Sequence, residues 1–298
     1  EMHLLDTVAA VKAYDPDVVL VTTNTVPDFF PGIKVQIFHG FSVGKRSEKK
    51  GHFNIRGFFD LYCTQGPSTT KTFKALQQKY PHFDVVETGW PKVDPLFWDD
   101  RTSRANPLPV VMVSSTFTPR LSLAHDEKAL EQIASLSQSG RWKFIVVLHP
   151  KMASSVVERI KRMQHENLQF YDTVELIPLM KQADMMLSDT TSAITEFLLQ
   201  RKPVVTLRNN RPGEYLIDIA DASEIEEALQ KGLSYPRETM SAIDAFIAQT
   251  HPYDDGRSSD RVIDAAVDFV KFKHPKPKPL NLIRRYQIRK KLGYWRFW

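Results

Sequence analysis

The sequence predicts an α/β protein with parallel sheets, divided into two domains. Three observations carry this. Short apolar runs of strand length alternate with amphipathic helical segments through both halves of the chain. The length of 298 residues is that of two average domains. The segment 99–109, DDRTSRANPLP, is polar, contains two prolines and reads as a linker. The expected layout is an N-terminal domain at 1–100, a second domain at 101–270 and a distinct tail at 271–298.

Composition narrows the class. Apolar residues make up 42% and charged residues 25%, as in ordinary globular proteins. There is no run of about 18 apolar residues that would span a membrane, and no signal-peptide pattern. A single cysteine, Cys63, excludes an internal disulfide and a multi-cysteine metal site; in the apolar stretch 58–63 it reads as a small core residue. Low cysteine usage fits a cytoplasmic protein. The sequence begins at Glu1 rather than Met, which leaves room for an upstream segment and an N-terminal domain incomplete at its start.

In chain order, Leu4, Leu5, Val8 and Val11 mark a helix that YDPD at 14–17 breaks, and strands follow at 18–21 and 35–38. The second runs into His39-Gly40. A histidine at a strand end is where α/β proteins place ligand chemistry; its plainer reading is a structural histidine. The loop 41–57 carries Lys45, Arg46, Lys49, Lys50 and Arg56 against one acid, Glu48, so it is either a solvated loop or a contact for an anionic substrate. A strand at 61–64, a helix capped by Ser68 with Phe73, Leu76 and Tyr80 inward, and a strand at 85–86 complete this half, ending in Gly89, Pro91 and Asp94.

The second half opens on a strand at 110–113 and a hydroxyl-rich loop reaching Arg120. A helix with Leu130, Ile133 and Ala134 inward leads to a strand at 144–148 that ends on His149-Pro150-Lys151. After a helix with Val156, Val157, Ile160 and Met163 come a strand at 168–171 and a helix at 175–183, with Pro178 near its start, where proline is tolerated. The stretch 183–207 then reads strand, polar loop, helix, strand. Its loop holds Ser188, Asp189, Thr190, Thr191 and Ser192, and Ile194, Phe197 and Leu198 mark the helix. Such a loop is a phosphate cradle at a strand's carboxyl end or a plain helix cap. Helices follow at 224–231 and from Ser258 or Ser259, with Val262, Ile263, Ala266, Val267 and Val270 apolar.

The tail at 271–298 is rich in Lys and Arg, lacks acids and carries Tyr286, Tyr294, Trp295, Phe297 and Trp298. Cations gain against anionic lipid and aromatics favour the headgroup level. Peripheral membrane binding is therefore expected, with packing across the protein's own domains as the alternative. No nucleic-acid motif accompanies the charge, so no nucleic-acid partner is expected. No metal spacing, Gly-rich dinucleotide fingerprint or P-loop is present, so neither metal nor cofactor is expected.

The order of motifs resembles one family. HG at 39–40, GxPxxD at Gly89, Pro91 and Asp94, STFTPR at 115–120, LHPK at 148–151, and ELIPLMKQADMMLSDTTS followed by EFLLQRKPVV are similar to the CDP-glycerol glycerophosphotransferases, over residues 15–265. The resemblance implies the GT-B architecture: two Rossmann-like domains facing across a cleft. It implies transfer of glycerol phosphate, or a related alditol phosphate, from a CDP-activated donor to a lipid-linked or polymer acceptor, at the inner face of the cell membrane. His39 would be the base on the acceptor hydroxyl, and His149 would meet the donor pyrophosphate. Lys151, Ser188, Thr190, Thr191 and Ser192 would bind phosphate. Thr116, Arg120, Ile177, Leu179 and Glu196 would bind the nucleotide, Glu196 through the ribose. The chain departs from the family at Phe41-Ser42 and at Thr190. Two rivals remain: a GT-B enzyme of nucleotide sugars, since SDTTS…E also resembles the TDSGG…E loop of non-hydrolysing UDP-sugar epimerases, and a non-catalytic GT-B scaffold.

Overall fold

The computed structural model describes residues 3–41, 51–98 and 107–295. The chain forms two compact units, Glu1–Asp94 with Gln249–Trp298, and Pro95–Ala248. The basic residues of the loop 41–57 other than Arg56, most of the linker and the end of the tail lie outside the described residues.

In the first unit α1 (Val8–Tyr14) is capped by Thr7, whose hydroxyl oxygen accepts the Ala10 N–H at 3.1 Å. Strands β1 (Val18–Val21), β2 (Ile33–Gln36), β3 (Leu61–Thr64) and β4 (Asp84–Glu87) pair in parallel in the order β1-β2-β3-β4, and α2 (Pro67–Lys79) makes the crossover between β3 and β4. Both inner strands are buried throughout because both faces of the sheet are covered. Alternation along the strands sorts the side chains. Tyr62 joins an aromatic cluster with Phe38, Phe59, Phe73 and Phe83, while Leu61 and Cys63 face the opposite layer. Burial pushes the Cys63 thiol up to about 12, so it is an inert core residue.

The second unit contains β5 (Val110–Ser115), α3 (Glu127–Gln138), β6 (Lys143–Leu148), α4 (Ser154–Arg162), β7 (Leu168–Phe170), α5 (Ile177–Gln182), β8 (Met185–Ser188), α6 (Ala193–Leu198), β9 (Val204–Leu207), β10 (Ile217–Ile219), α7 (Ile225–Leu233) and most of α8 (Arg237–Thr250). Its sheet is parallel, in the order β10-β9-β8-β5-β6-β7. This is the doubly wound order, and its switch point, where α/β sheets bind ligands, lies between β5 and β8.

The remaining chain, α9 (Ser258–Phe272) and α10 (Leu282–Leu292), returns to the first unit. The sequence reading extended the second domain to residue 270. Instead Val262, Ala266 and Phe269 of α9 pack on Ile33, Val35, Leu61 and Cys63. Helical periodicity shows which face of α9 is apolar, not which sheet receives it. The tail is docked in part as well: Lys273 and Lys276 reach Asp84 at 2.7 and 2.8 Å, Lys278 reaches the buried Asp60 at 2.6 Å, and Tyr294 stacks on Phe29 at 4.4 Å.

Other differences are local. β10 and α8 were not anticipated; β10 is three residues long, and α8 buries only Ile243 and Ile247. α2 starts at Pro67, so Ser68 lies inside its first turn rather than at the cap. The cap position is Gly66, where a Cβ would lie 2.4 Å from the Thr250 carbonyl oxygen. β2 stops at Gln36, short of the expected 38, because Phe38 takes a left-handed backbone with φ of 59°. Among the described residues no helix is long and apolar enough to cross a membrane, and no group of three or more His, Cys, Asp or Glu is placed to hold a metal ion.

Candidate active site

The switch point of the second unit is built around Asp189. Ser114 and Ser188 are register partners across β5 and β8, and the Ser188 hydroxyl donates to the Ser114 carbonyl at 2.6 Å. Ser188 is therefore committed to joining the two strands. The next residue, Asp189, is fully buried. Its carboxylate accepts the Ser115 hydroxyl at 2.5 Å, the Leu123 N–H at 2.9 Å, the Thr116 N–H at 3.0 Å to the nearer oxygen, and the Thr190 N–H. Burial raises its pKa, and these donors oppose the rise. One acid thus ties the β5 loop to the β8 loop. Sequence reading singled out the hydroxyls around Asp189 and passed over the acid between them.

A third loop, after β9, joins the same structure and was also missed. The Asn209 side-chain amide donates to the Asp189 carbonyl at 2.6 Å, and the Asn210 N–H donates to the Thr190 hydroxyl oxygen at 3.2 Å. Arg208, with φ of 52°, pairs with Asp126, the N-cap of α3. Thr191 and Ser192 are half-buried, and Ser192 precedes α6 without capping it through its side chain. The cap reading of this loop is therefore not realised by Ser192. Glu196 is buried at 4% exposure on α6.

On the other side of β5, His149 follows β6 and is exposed. Its Nδ1 accepts the backbone N–H of Lys151 at 3.0 Å. Nδ1 is thus unprotonated, and in the neutral ring Nε2 carries the proton. His149 presents an N–H donor. Its ring lies 4.5 Å from that of Phe117, and the Lys151 ammonium stands 5.9 Å from the Phe117 ring centre. A cleft of about 630 Å³ opens beside it, lined by Leu148, His149, Met152, Phe170, Thr173 and Glu175 among others. Arg120 is exposed on the turn Pro119–Leu121. Thr116 is buried with its N–H on Asp189. Of Ile177 and Leu179, both expected to bind the nucleotide, Leu179 is buried and its N–H already donates to Leu176 O at 3.1 Å, while Ile177 is half-buried at the start of α5.

In the first unit His39 is exposed beyond β2, and its Nδ1 lies 3.1 Å from the Thr22 carbonyl oxygen. A carbonyl only accepts, so Nδ1 carries the proton and Nε2 holds the lone pair. His39 is therefore set in the opposite tautomer to His149. The backbone around it is strained and clamped. Left-handed φ at a bulky aromatic such as Phe38 is rare and persists where surroundings enforce it. The Phe38 carbonyl accepts the Trp90 indole N–H at 3.2 Å, and the Gly40 carbonyl accepts the Gln65 amide at 3.1 Å. The Trp90 backbone N–H in turn donates to His251 Nε2 at 3.0 Å; burial lowers the His251 pKa, which keeps this acceptor neutral. Trp90, Gln65 and His251 escaped sequence analysis because their roles run through contacts distant in the chain.

No curated protein sequence matches the chain. Among solved structures it is similar to a variant of the wall teichoic acid polymerase TagF soaked with CDPG, at 13% identity and TM-score 0.62, over 86% of this chain and 72% of that one. It is similar to S. aureus MnaA in a co-structure with UDP, at 15% identity and TM-score 0.62, over 90% and 80% of the two chains. A third likeness is to a UDP-N-acetylglucosamine 2-epimerase, at 17% identity and TM-score 0.58, over 90% and 76%. These likenesses show the α/β fold of two parallel sheets to be that of GT-B proteins. The family model described as UDP-N-acetylglucosamine 2-epimerase matches residues 62–266, well over half of the chain and the whole of the Asp189-centred loop system. The chain, a GT-B protein by its two sheets, belongs to the UDP-N-acetylglucosamine 2-epimerase family.

Proposed function

We propose that this protein is an enzyme acting on a nucleoside-diphosphate sugar. The nucleotide diphosphate is held at the β5/β8 switch point, and His39 is the general base. The carrying observation is the opposed setting of the two histidines. A ring whose Nε2 is a lone pair takes a proton; a ring whose Nε2 is an N–H donates to an anion. His39 is the first kind and His149 the second. His149, Lys151 and the Thr191 and Ser192 hydroxyls supply donors and positive charge for a diphosphate, whose charge they stabilise as the substrate reacts. The cleft beside His149, lined in part by Leu148, Met152 and Phe170, has the size of a small-molecule site. The family membership supports a UDP-sugar substrate.

A second reading keeps the same donor site and changes the reaction to phosphoryl transfer from a CDP-alditol onto a hydroxyl. The observation that favours it is local. Directly after His39-Gly40 the chain places no acid but Phe41, which is buried against Trp90. A histidine base suits deprotonation of a hydroxyl.

The deciding experiment is a substrate panel: UDP-N-acetylglucosamine, other UDP-sugars, CDP-glycerol and CDP-ribitol, with and without a short polyol-phosphate acceptor. Conversion of a UDP-sugar, lost in His39→Ala, supports the first reading. CMP release from a CDP-alditol replaces it with the second. Absence of UDP and CDP binding by calorimetry overturns both.

A further inference from the structure

The cations of the strap and helix that close the first unit are divided between two faces. One set points inward. Lys273 and Lys276 pair with Asp84 and Lys278 with Asp60, while Arg285 and Arg289 approach Asp28 at 3.8 and 3.1 Å. The Arg289 guanidinium also lies over the Phe29 ring at 4.7 Å, and Ile288 packs on the aromatic cluster that seats Phe38. These contacts fix the orientation of α10.

That orientation leaves the rest of the helix surface in solvent. Leu282, Ile283, Tyr286 and Trp295 are 68, 76, 55 and 48% exposed, with Leu280 just before them at 70% and Phe272 at the end of α9 at 78%. Tyr286 and Trp295 hold each other at 5.6 Å between ring centres. Arg284, Lys290 and Lys291 are exposed on the same helix, and the sequence from 271 to 295 contains no acid. Large apolar side chains are normally exposed singly; a row of them flanked by cations marks an interaction surface.

We propose that this face docks the first unit on an anionic lipid bilayer. The chemistry selects that partner. Aliphatic side chains beside Tyr and Trp suit the boundary between headgroups and acyl chains, where aromatic rings settle. Flexible cations around them meet anionic headgroups without needing a shaped partner. A nucleic acid would use the cations and leave Leu282 and Ile283 in water. Because inner cations are already neutralised by Asp28, Asp60 and Asp84, the outer ones carry the attraction. Docking brings the His39-bearing unit to the surface.

The test is co-sedimentation of the full chain with vesicles of phosphatidylcholine alone and of phosphatidylcholine with phosphatidylglycerol in equal parts. The expected result is binding to the mixed vesicles, weakened by salt, and little binding to phosphatidylcholine. Lys290→Gln with Lys291→Gln binds about 30-fold more weakly, the size expected for two cations near an anionic leaflet. Ile283→Glu with Tyr286→Glu abolishes binding. Lys276→Gln, which alters an inner cation, binds as the unaltered protein does. All the outer positions are exposed, so these variants keep the thermal unfolding profile. Failure to bind mixed vesicles, equal binding to both vesicle types, equal loss in Lys276→Gln, or a concentration-dependent dimer abolished by Ile283→Glu would each overturn the proposal. None of these outcomes depends on which nucleotide substrate the enzyme uses.

Discussion

Asp94 caps α9 from the far side of the sequence: its carboxylate accepts the Ser258 N–H at 2.9 Å and the Ser259 N–H at 2.8 Å. The Ser259 hydroxyl adds a third bond at 2.7 Å. No residue at the start of α9 caps it through a side chain, so the acid 164 positions earlier does so. Gly89 lies beside it with φ of 79°, and a Cβ there would sit 2.4 Å from the Ser258 hydroxyl. The Gly89, Pro91 and Asp94 motif thus acts as a latch, joining the segment where the chain leaves the first unit to the segment where it returns.

Breaking this latch should cost stability. Asp94→Ala removes a cap and leaves the buried Ser258 N–H without an acceptor, for a loss of about 2–4 kcal/mol. Asp94→Asn retains an acceptor oxygen and should lose less. Urea unfolding midpoints at constant slope measure both; an unchanged midpoint in Asp94→Ala would show the capping account to be wrong.

The histidine tautomers are directly observable. Nitrogen-15 NMR of the imidazoles should find His39 protonated at Nδ1 and His149 at Nε2 when each ring is neutral. His39→Ala should lower turnover by roughly 100- to 10,000-fold, the usual worth of a general base. His149→Ala should chiefly weaken nucleotide binding, seen as a raised KM and a raised UDP dissociation constant.

Asp189 should matter to folding and binding together. Asp189→Ala strands the N–H groups of Thr116, Thr190 and Leu123 in a buried place, a loss of about 3 kcal/mol or more. Because the same acid positions the β5 and β8 loops, nucleotide affinity should fall even where the variant is fully folded. Calorimetry with UDP well below the unfolding transition separates the two effects.

Lys34 introduces a pH dependence. Its ammonium is buried, donating to the carbonyls of Phe30 and Gly32 at 2.5 and 2.6 Å. Burial first, then Lys278, lowers its pKa to about 8 against the pull of Asp60 and Asp28. The unfolded chain then binds more protons than the folded one between that value and the ordinary lysine value of about 10.4. Stability therefore rises with pH across this window. Tyr62 and Cys63, both raised by burial, act oppositely at the upper end, so the clean measurement is a difference. The stability of the unaltered protein minus that of Lys34→Met should increase from pH 8 to 10; a flat difference would exclude the Lys34 contribution.

Much of this protein was legible in its residues. β1, β3 and β9 fall at the expected positions because each is an apolar run too short for a helix. His39, His149 and the 188–192 loop were singled out as candidates because the ends of strands are where α/β sheets expose polar groups. The sequence put the resemblance to CDP-glycerol transferases first and the epimerase likeness second; the family match favours the second. What the sequence could not settle depends on partners distant along the chain. Apolar periodicity specified the inner face of α9 but not that it would meet β2 and β3 rather than the second sheet. An acid among hydroxyls gave no sign that Asp189 would be the buried member and Ser188 a cross-strand link. The basic tail was plain, yet only packing divided it into cations bound to Asp28, Asp60 and Asp84 and cations left in solvent. Local preference and periodicity are written in neighbouring residues. Which charge is neutralised, which carbonyl fixes a histidine's proton and which sheet receives a helix are settled only when distant segments meet.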